Sequence, residues 1–140
     1  MTKEQLMQRA ILLSENSVRH GGGPFGAVIA KDGVIVAEAS NSVTIDQDPT
    51  AHAEVNAIAS VKDESLLKDA TIYVSLEPCS HYGKTPPCAD LIIRKGIPRV
   101  VVGCVDPFSL VAGRGIQKLR DAGIEVTVGV LEKECRELIR

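Results

Sequence analysis

Two separated stretches of the chain carry residue types that bind a transition metal. The first, Thr50-Ala51-His52-Ala53-Glu54, supplies an imidazole and, two positions later, a carboxyl group. The second runs from Glu77 to Cys88 and contains the thiols of Cys79 and Cys88, which are 88 − 79 = 9 positions apart. Zinc binds imidazole nitrogen and thiolate sulfur readily, and three protein ligands leave a fourth position open for water. The residue types therefore predict a catalytic zinc centre held by His52, Cys79 and Cys88.

The carboxyl group of Glu54 is the expected catalytic base. Its position two residues after His52 lets it reach a zinc-activated water without occupying the metal. His-x-Glu followed by Pro-Cys and a second Cys is the signature of zinc-dependent nucleobase deaminases, usually with a shorter cysteine spacing. The sequence predicts one zinc ion per chain and hydrolytic removal of an exocyclic amine from a small heteroaromatic substrate, with Glu54 as the proton shuttle.

A closed structural zinc site is the alternative from another class of protein. His81 lies between the two cysteines and could supply a fourth ligand, which would leave no position for reactive water. The chain would then be a non-catalytic zinc-binding module. Of the remaining cysteines, Cys104 lies inside an apolar predicted strand and Cys135 on the predicted last helix, and both are expected in the core rather than as ligands.

Length and composition predict one globular domain that covers residues 1–140. A net charge of −2 and an aromatic content of 3% argue against a nucleic-acid surface, which normally combines a basic face with stacking aromatics. No apolar run has the length of a membrane span, and the N-terminus does not resemble a signal peptide. We therefore expect a cytoplasmic protein that binds neither nucleic acid nor membranes.

The first half of the chain predicts a helix and a β-hairpin. Apolar residues recur at helical spacing from about Glu4 to Val18, and Thr2 with Gln5 forms a capping-box pattern. The β-rich runs 25–30 and 34–39 flank an Asp-Gly pair, which is a hairpin signal. Residues 40–49 are polar and are predicted to form a loop over the site.

The second half predicts alternating helices and strands. The helices are expected at 51–61, 88–95, 116–122 and 132–140, and the strands at 70–76, 100–105 and 124–130. Such alternation produces parallel strands with helices on both faces, so the fold class is α/β with a five-stranded mixed sheet flanked by helices. Ligands bind beyond the carboxyl ends of such strands, where Cys79 and Asp106 are expected.

Residues from His52 onward resemble the pyrimidine deaminase domain of the bacterial riboflavin biosynthesis enzyme, a member of the cytidine deaminase superfamily. The motifs that carry the resemblance are His52–Ala57, Leu76–Asp90, Asp106-Pro107 and Val111–Gly115. The resemblance implies a three-layer α-β-α cytidine deaminase-like fold and a diaminopyrimidinone substrate that carries a ribosylamino 5′-phosphate. Lys84 and Thr85 would contact that substrate, with Lys84 close to the phosphate. The family commonly adds a reductase domain, and no reductase activity is expected from residues 1–140.

The first half resembles the bacterial guanine deaminases instead. The segments that carry this second resemblance are Gly22–Val28, Ser40–Thr44 and Asp48–Glu54. The riboflavin enzymes usually have His where this chain has Asn41, whereas the guanine deaminases have a tight Pro-Cys-x-x-Cys that this chain lacks. The sequence is therefore a mosaic with an apparent join near Thr50–Glu54. Guanine, or another nucleobase or nucleoside, is the alternative substrate.

Further substrate contacts are expected from segments on either side of the predicted zinc ligands. The Ala53 N–H is expected to orient a carbonyl or amine group of the ring. Phe25, at the start of the first predicted strand, and Asn41 and Asp106, in the loops after predicted strands, are also expected to contact the substrate. The family resemblance also implies a homodimer or homotetramer, because these small deaminases commonly complete their pockets across subunits.

Overall fold

The structure is a computed structural model that describes residues 1–20, 25–40, 53–76, 88–105 and 113–138. Its helices are α1 Lys3–Arg19, α2 Ala53–Ala59, α3 Cys88–Lys95, α4 Arg114–Asp121 and α5 Glu132–Glu137, with a 3₁₀ helix at Glu64–Asp69. Its strands are β1 Gly26–Lys31, β2 Val34–Ser40, β3 Thr71–Leu76, β4 Arg99–Cys104 and β5 Glu125–Val128. Within these ranges, no helix combines the length and the apolar character needed to cross a membrane.

The five strands form one mixed sheet in the order β2-β1-β3-β4-β5. Strand β1 is antiparallel to both β2 and β3, whereas β3, β4 and β5 run parallel to one another. The hairpin therefore forms one side of the sheet and the strand–helix alternation forms the other. The predicted five-stranded mixed sheet is confirmed.

Helices cover both faces of this sheet. On one face, α1 and α5 pack against the sheet through a cluster that includes Leu6, Met7, Val28, Tyr73, Val101 and Cys135. On the other face, α2, α3 and α4 pack through a cluster that includes Ala53, Ile29, Ile72, Ile92, Val100 and Leu119. Adjacent residues of the central strands thus alternate between two cores, which is the pattern of a sheet buried on both faces. The predicted three-layer α-β-α arrangement is confirmed.

Local signals at the start of the chain act as the sequence predicts. The Gln5 N–H donates to Thr2 Oγ1 at 3.1 Å, and the Thr2 N–H donates to Gln5 Oε1 at 2.8 Å, which completes the capping box of α1. At the hairpin, Asp32 and Gly33 have φ angles of 53° and 77°. A two-residue type I′ turn requires a positive φ at both positions, and this requirement favours Asp-Gly.

The boundaries in the second half differ from the predictions at several places. Helix α2 ends at Ala59 rather than 61, and residues 51–52 of the predicted helix lie outside the described ranges. The sequence did not predict the 3₁₀ helix, in which Asp63 accepts hydrogen bonds from the N–H and the hydroxyl of Ser65. Such local bonds favour a short tight turn over a continued α-helix. Helix α4 begins two residues earlier than predicted, and β5 is confined to Glu125–Val128.

An ion pair connects α1 to the edge strand β2. The guanidinium of Arg9 donates from two nitrogens to the carboxylate of Glu38, at 2.7 and 2.6 Å. Hydrogen bonding to Arg9 lowers the pKa of Glu38 below its ordinary value of 4.5. Both side chains remain partly exposed, at 43% for Arg9 and 31% for Glu38, so solvent screens the pair.

Replacing Glu38 with Gln should lower the free energy of unfolding at pH 7 by about 0.5 kcal/mol, the middle of the range for exposed pairs. Because the folded-state pKa of Glu38 is depressed, this contribution is present above about pH 4.5 and is lost as the pH falls through the folded-state value. Urea unfolding at pH 7 and at pH 3.5 tests the sign. Glu137→Gln, an exposed change on α5, is the matched control. A Glu38→Gln effect that is equal at both pH values would contradict the ion-pair assignment.

Candidate active site

Four residues form one row across the sheet, which we term the cross-strand row: Ser40, Gly26, Ser75 and Gly103. Gly26 pairs directly with Ser40. The pairs Ala27–Val74 and Val74–Val102 then place Ser75 beside Gly26 and Gly103 beside Ser75. The row therefore runs from β2 through β1 and β3 to β4 at one end of the sheet.

The segments that carry the predicted site residues join the sheet at this row. Phe25 immediately precedes Gly26, and Asn41 immediately follows Ser40. Cys79 lies four positions after Ser75, and Asp106 lies three positions after Gly103. The topology therefore brings together, at one end of the sheet, the four row residues that adjoin these segments in sequence. This end contains the carboxyl ends of parallel strands β3 and β4, where ligands of α/β proteins bind.

Helices approach the row closely because two of its residues are glycines. A Cβ atom at Gly26 would collide with the carbonyl oxygen of Ala10 in α1, and one at Gly103 would collide with Sγ of Cys135 in α5. Both positions therefore require glycine for packing. The strand ends are held against α1 and α5 on the face opposite α2 and α3.

The first turn of α2 brings Glu54 to the same end of the molecule. Glu54 is 7% exposed, and its neighbour Ala53 is fully buried. Two positions later, Asn56 donates from Nδ2 to the carbonyl oxygen of Ser40 at 3.0 Å. This bond fixes the helix that carries Glu54 to the strand end that precedes Asn41. A nearly buried carboxyl group at this end of the sheet is a candidate for catalysis, because ligands of α/β proteins bind beyond the carboxyl ends of parallel strands and catalytic acids are commonly buried in such sites.

Helix α3 begins at Cys88, as the sequence predicts. Ala89, the next residue, is fully buried and belongs to the same apolar cluster as Ala53 in α2. The residues that follow His52 and Cys88 in the sequence are thus packed into one core, and α2 contacts α3. Backbone N–H groups in the first turn of a helix stabilise a thiolate, which suits Cys88 as a metal ligand.

Several predicted site residues fall outside the described ranges. They are Asn41, His52, Cys79, Lys84, Thr85 and Asp106, together with the alternative ligand His81; the side chain of Cys88 is likewise outside. Phe25 is described and packs, partly buried, against both cores. Among the described residues, no three His, Cys, Asp or Glu side chains come together as a metal site. The predicted ligand set remains a prediction.

The two other cysteines are core residues. Cys104 is fully buried and donates from Sγ to the carbonyl oxygen of Ser75 at 3.6 Å. Cys135 is 1% exposed, and burial raises the pKa of its thiol to about 12, with a smaller contribution from Cys104. A thiol with such a pKa is protonated at neutral pH and is a poor metal ligand. Their predicted place in the core is confirmed.

The sequence did not single out three residues that position the strand ends: Ser14, Asn56 and Ser75. Ser75 is the residue that breaks the apolar pattern near the end of β3, and Ser14 does the same on the apolar face of α1. A polar residue at a buried position of an otherwise apolar element was the available signal.

Comparison with known families identifies the chain. Residues 1–104 match the cytidine and deoxycytidylate deaminase zinc-binding region. The chain belongs to this deaminase family. The matched part includes α2, the segment from Glu77 to Cys88 and strand β4, so the family model covers every predicted zinc ligand.

Curated members of the family are similar over most of the chain. The riboflavin biosynthesis protein RibD of Aquifex aeolicus is 50% identical over 119 residues, which are 85% of this chain and 32% of that protein. The diaminohydroxyphosphoribosylamino-pyrimidine deaminase of Buchnera aphidicola is 40% identical over 133 residues, which are 94% of this chain and 86% of that protein. The chain thus spans about a third of the riboflavin protein and most of the smaller deaminase.

Solved structures support both resemblances seen in the sequence. RibD of Acinetobacter baumannii superposes with a TM-score of 0.81 at 39% identity, covering 96% of this chain and 37% of that one. The guanine deaminase of Bacillus subtilis superposes with a TM-score of 0.59 at 42% identity, covering 73% of this chain and 63% of that one. The cytidine deaminase-like fold is confirmed, and so is the likeness to both kinds of deaminase.

Single replacement of His52, Cys79 or Cys88 by Ala should lower the zinc content of the purified protein. Cys104→Ala and Cys135→Ala are the controls, because both thiols are buried and the raised pKa of Cys135 disfavours its thiolate. Zinc per folded chain, measured by atomic emission after gel filtration, should be unchanged in both controls. Loss of zinc from either control would overturn the ligand assignment.

Proposed function

We propose that this chain is a zinc-dependent aminohydrolase that deaminates the phosphorylated diaminopyrimidinone intermediate of riboflavin biosynthesis. The observation that carries the proposal is the similarity to the Buchnera aphidicola pyrimidine deaminase, which extends over 94% of this chain and 86% of that protein. The buried Glu54 at the carboxyl end of the parallel strands supports it independently.

The proposed zinc site consists of His52, Cys79 and Cys88, with one ion per chain. The donor set of one imidazole and two thiolates suits zinc, and it leaves an open coordination position. The described structure fits this assignment, because Cys88 begins α3 and Cys79 lies three positions after the last residue of β3. When bound, zinc would supply Lewis acidity that lowers the pKa of a coordinated water towards neutrality.

Glu54 performs the proton transfers in the proposed reaction. Its carboxylate takes a proton from the attacking water, whose oxygen adds to the ring carbon that bears the amine. Glu54 passes this proton to the ring nitrogen, and then takes the remaining proton of the added hydroxyl and gives it to the amine. The carbon–nitrogen bond breaks, ammonia leaves, and the hydroxyl-bearing carbon becomes a carbonyl. The bond from Asn56 to Ser40 restrains the helix that carries Glu54, so that the carboxylate keeps its position during both transfers.

The other predicted contacts divide between the ring and the phosphate of the substrate. The N–H of Ala53 orients a polar group of the ring, and Phe25, Asn41 and Asp106 lie in segments that join the cross-strand row. Lys84 and Thr85 lie between the two cysteine ligands in sequence, where Lys84 pairs with the substrate phosphate and Thr85 contacts the same nucleotide.

Guanine deamination is the second candidate function. It is favoured by the 42% identity to the guanine deaminase of Bacillus subtilis over 73% of this chain. The segments around Gly22–Val28 and Ser40–Thr44 carry this likeness in the sequence. A free base carries no phosphate, so this candidate gives Lys84 no anionic partner.

The proposed organisation is a single deaminase domain over residues 1–140, assembled as a homodimer or homotetramer in the cytoplasm. The small aminopyrimidine nucleotide is the proposed partner in binding. Sedimentation equilibrium of the zinc-loaded protein would determine the number of subunits.

Replacing Glu54 with Gln should abolish most deamination while leaving the bound zinc in place. The amide is nearly isosteric with the carboxylate but cannot accept and return a proton, and general acid–base catalysis contributes about 10²–10⁴ in rate. Ammonia release and zinc content should be measured on the same preparations. Glu64→Gln, on the exposed side of the 3₁₀ helix, is the matched control and should retain full activity. A zinc-replete Glu54→Gln protein with near-normal turnover would exclude the proposed mechanism.

Replacing Lys84 with Ala should distinguish the two candidate substrates. Loss of a charge-assisted bond to phosphate costs about 1.5–3 kcal/mol, so kcat/KM for the pyrimidine nucleotide should fall about ten- to a hundredfold. Turnover of the dephosphorylated pyrimidine and of guanine should barely change. The control is Lys62→Ala, which alters an exposed lysine after α2. Guanine as the better substrate of the wild-type protein would favour the second function.

A further inference from the structure

A series of hydrogen bonds, which we term the serine relay, connects α1, β3 and β1 at the cross-strand row, on the face of the sheet that packs against α1. Ser14 in α1 is fully buried, and Ser75 in β3 is 2% exposed. The Gly26 N–H donates to Ser75 Oγ at 3.3 Å, the two serine oxygens lie 2.9 Å apart, and Ser14 Oγ donates to the carbonyl oxygen of Ala10 at 2.9 Å. The serine relay therefore joins β1, β3 and α1.

The hydroxyl protons of the serine relay can be assigned in only one consistent way. A hydroxyl has a single proton, and Ser14 directs its proton to Ala10. The Ser75 hydroxyl must then donate to Ser14 Oγ, and Ser75 Oγ accepts a hydrogen bond from the Gly26 N–H. Each hydroxyl acts once as donor and once as acceptor. Among the described residues, no buried side-chain nitrogen or oxygen lacks a partner.

Ser75 lies at the point where the pairing of β3 with β1 ends. The last pair between these strands towards the row is Ala27–Val74, whereas the pairing of β3 with β4 continues to Leu76–Cys104. The hydroxyl of Ser75 thus accepts from the Gly26 N–H one step beyond the last strand pair. A side chain takes the place of a backbone ladder bond and fixes the end of β3 laterally.

Breaking the hydrogen bonds of the serine relay is costly because they lie in an apolar layer. The two serines lie between α1 and β3, on the face of the sheet that holds the apolar cluster of Leu6, Met7, Ala10, Ile11 and Tyr73. A buried hydroxyl or N–H that loses its partner retains its desolvation cost, so displacement of the strand end would leave several groups unsatisfied. The serine relay therefore holds the end of β3 in one position relative to β1 and α1.

We propose that Ser75, through its hydrogen bonds to Ser14 and Gly26, is a positioning residue for the zinc ligand Cys79. Cys79 lies four positions after Ser75, and the peptide that carries it begins at the strand end that Ser75 fixes. Groups that hydrogen-bond directly to a metal ligand change metal affinity about 10- to 100-fold when they are removed. Ser75 acts through the peptide between β3 and Cys79, so we expect an effect no larger than the lower end of this range. This inference rests on the proposed zinc-dependent function.

Zinc affinity of Ser75→Ala and Ser14→Ala, measured by competition with a chromophoric chelator, tests the inference without enzymatic activity. Each variant should raise the zinc dissociation constant about tenfold, at the lower end of the range for orienting groups. The double variant should bind zinc no more weakly than either single variant, because both changes break the same serine relay. Absorption of the cobalt-substituted protein should shift in the thiolate-to-metal band, which reports ligand geometry.

Ile11→Val is the control for a general loss of stability. Ile11 lies in α1 in the same apolar layer, is 2% exposed and has no part in the serine relay. It should lower the denaturation midpoint while leaving zinc affinity and the cobalt spectrum unchanged. If Ser75→Ala does not fold, Ser14→Ala decides by the same criterion.

Wild-type zinc affinity in the folded serine variants, or an equal loss of affinity in Ile11→Val, would overturn the inference. A separate result bears on the proposed function. A wild-type protein that binds zinc but releases no ammonia from the pyrimidine nucleotide would reject that substrate, while the comparison of zinc affinities would still stand.

Discussion

The lateral pairing of β3 with β1 and β4 is the constraint on which the arrangement of the site depends. This strand is antiparallel to one neighbour and parallel to the other, so it joins the hairpin half of the sheet to the strand–helix half. A shift of β3 by one residue would exchange the residues that face the two cores, since neighbouring side chains in a strand point to opposite faces. It would also move Ser75 away from Ser14 and Gly26. Core packing and placement of the site are therefore enforced by the same register.

The pairing of the hairpin strands β1 and β2 is a second constraint, because it determines how α2 is attached to the edge of the sheet. Ser40 reaches the row only because β2 pairs with β1, and Asn56 then attaches α2 to that strand end. The edge strand, which makes no functional contact among the described residues, thus influences the position of Glu54. The ion pair between Arg9 and Glu38 adds a further restraint on the same strand from α1.

Sequence patterns predicted the regular parts of this molecule because their causes are local. Thr2 and Gln5 form the capping box that their spacing indicates. Asp32-Gly33 forms the predicted hairpin turn, which requires positive φ angles that these two residue types tolerate. The 3₁₀ helix was missed, since Asp63 and Ser65 form a polar break whose geometry depends on side-chain bonds. For the site, Glu54 was predicted from its spacing to His52, and the structure places it buried near the row. Ser14, Ser75 and Asn56 were not predicted, because their partners are distant in sequence and only the folded topology brings them together.

The burial of Cys104 and Cys135 gives the protein an internal reporter of unfolding. Burial raises the pKa of the Cys135 thiol, so the thiol stays protonated at pH 7, and solvent scarcely reaches it in the native state. A thiol reagent in neutral buffer can therefore modify Cys135 only after α5 leaves the sheet. The close approach of Gly103 to Cys135 shows how little space the native packing leaves for an added group. The rate of its alkylation would thus measure how often the α5 face opens, without any introduced label.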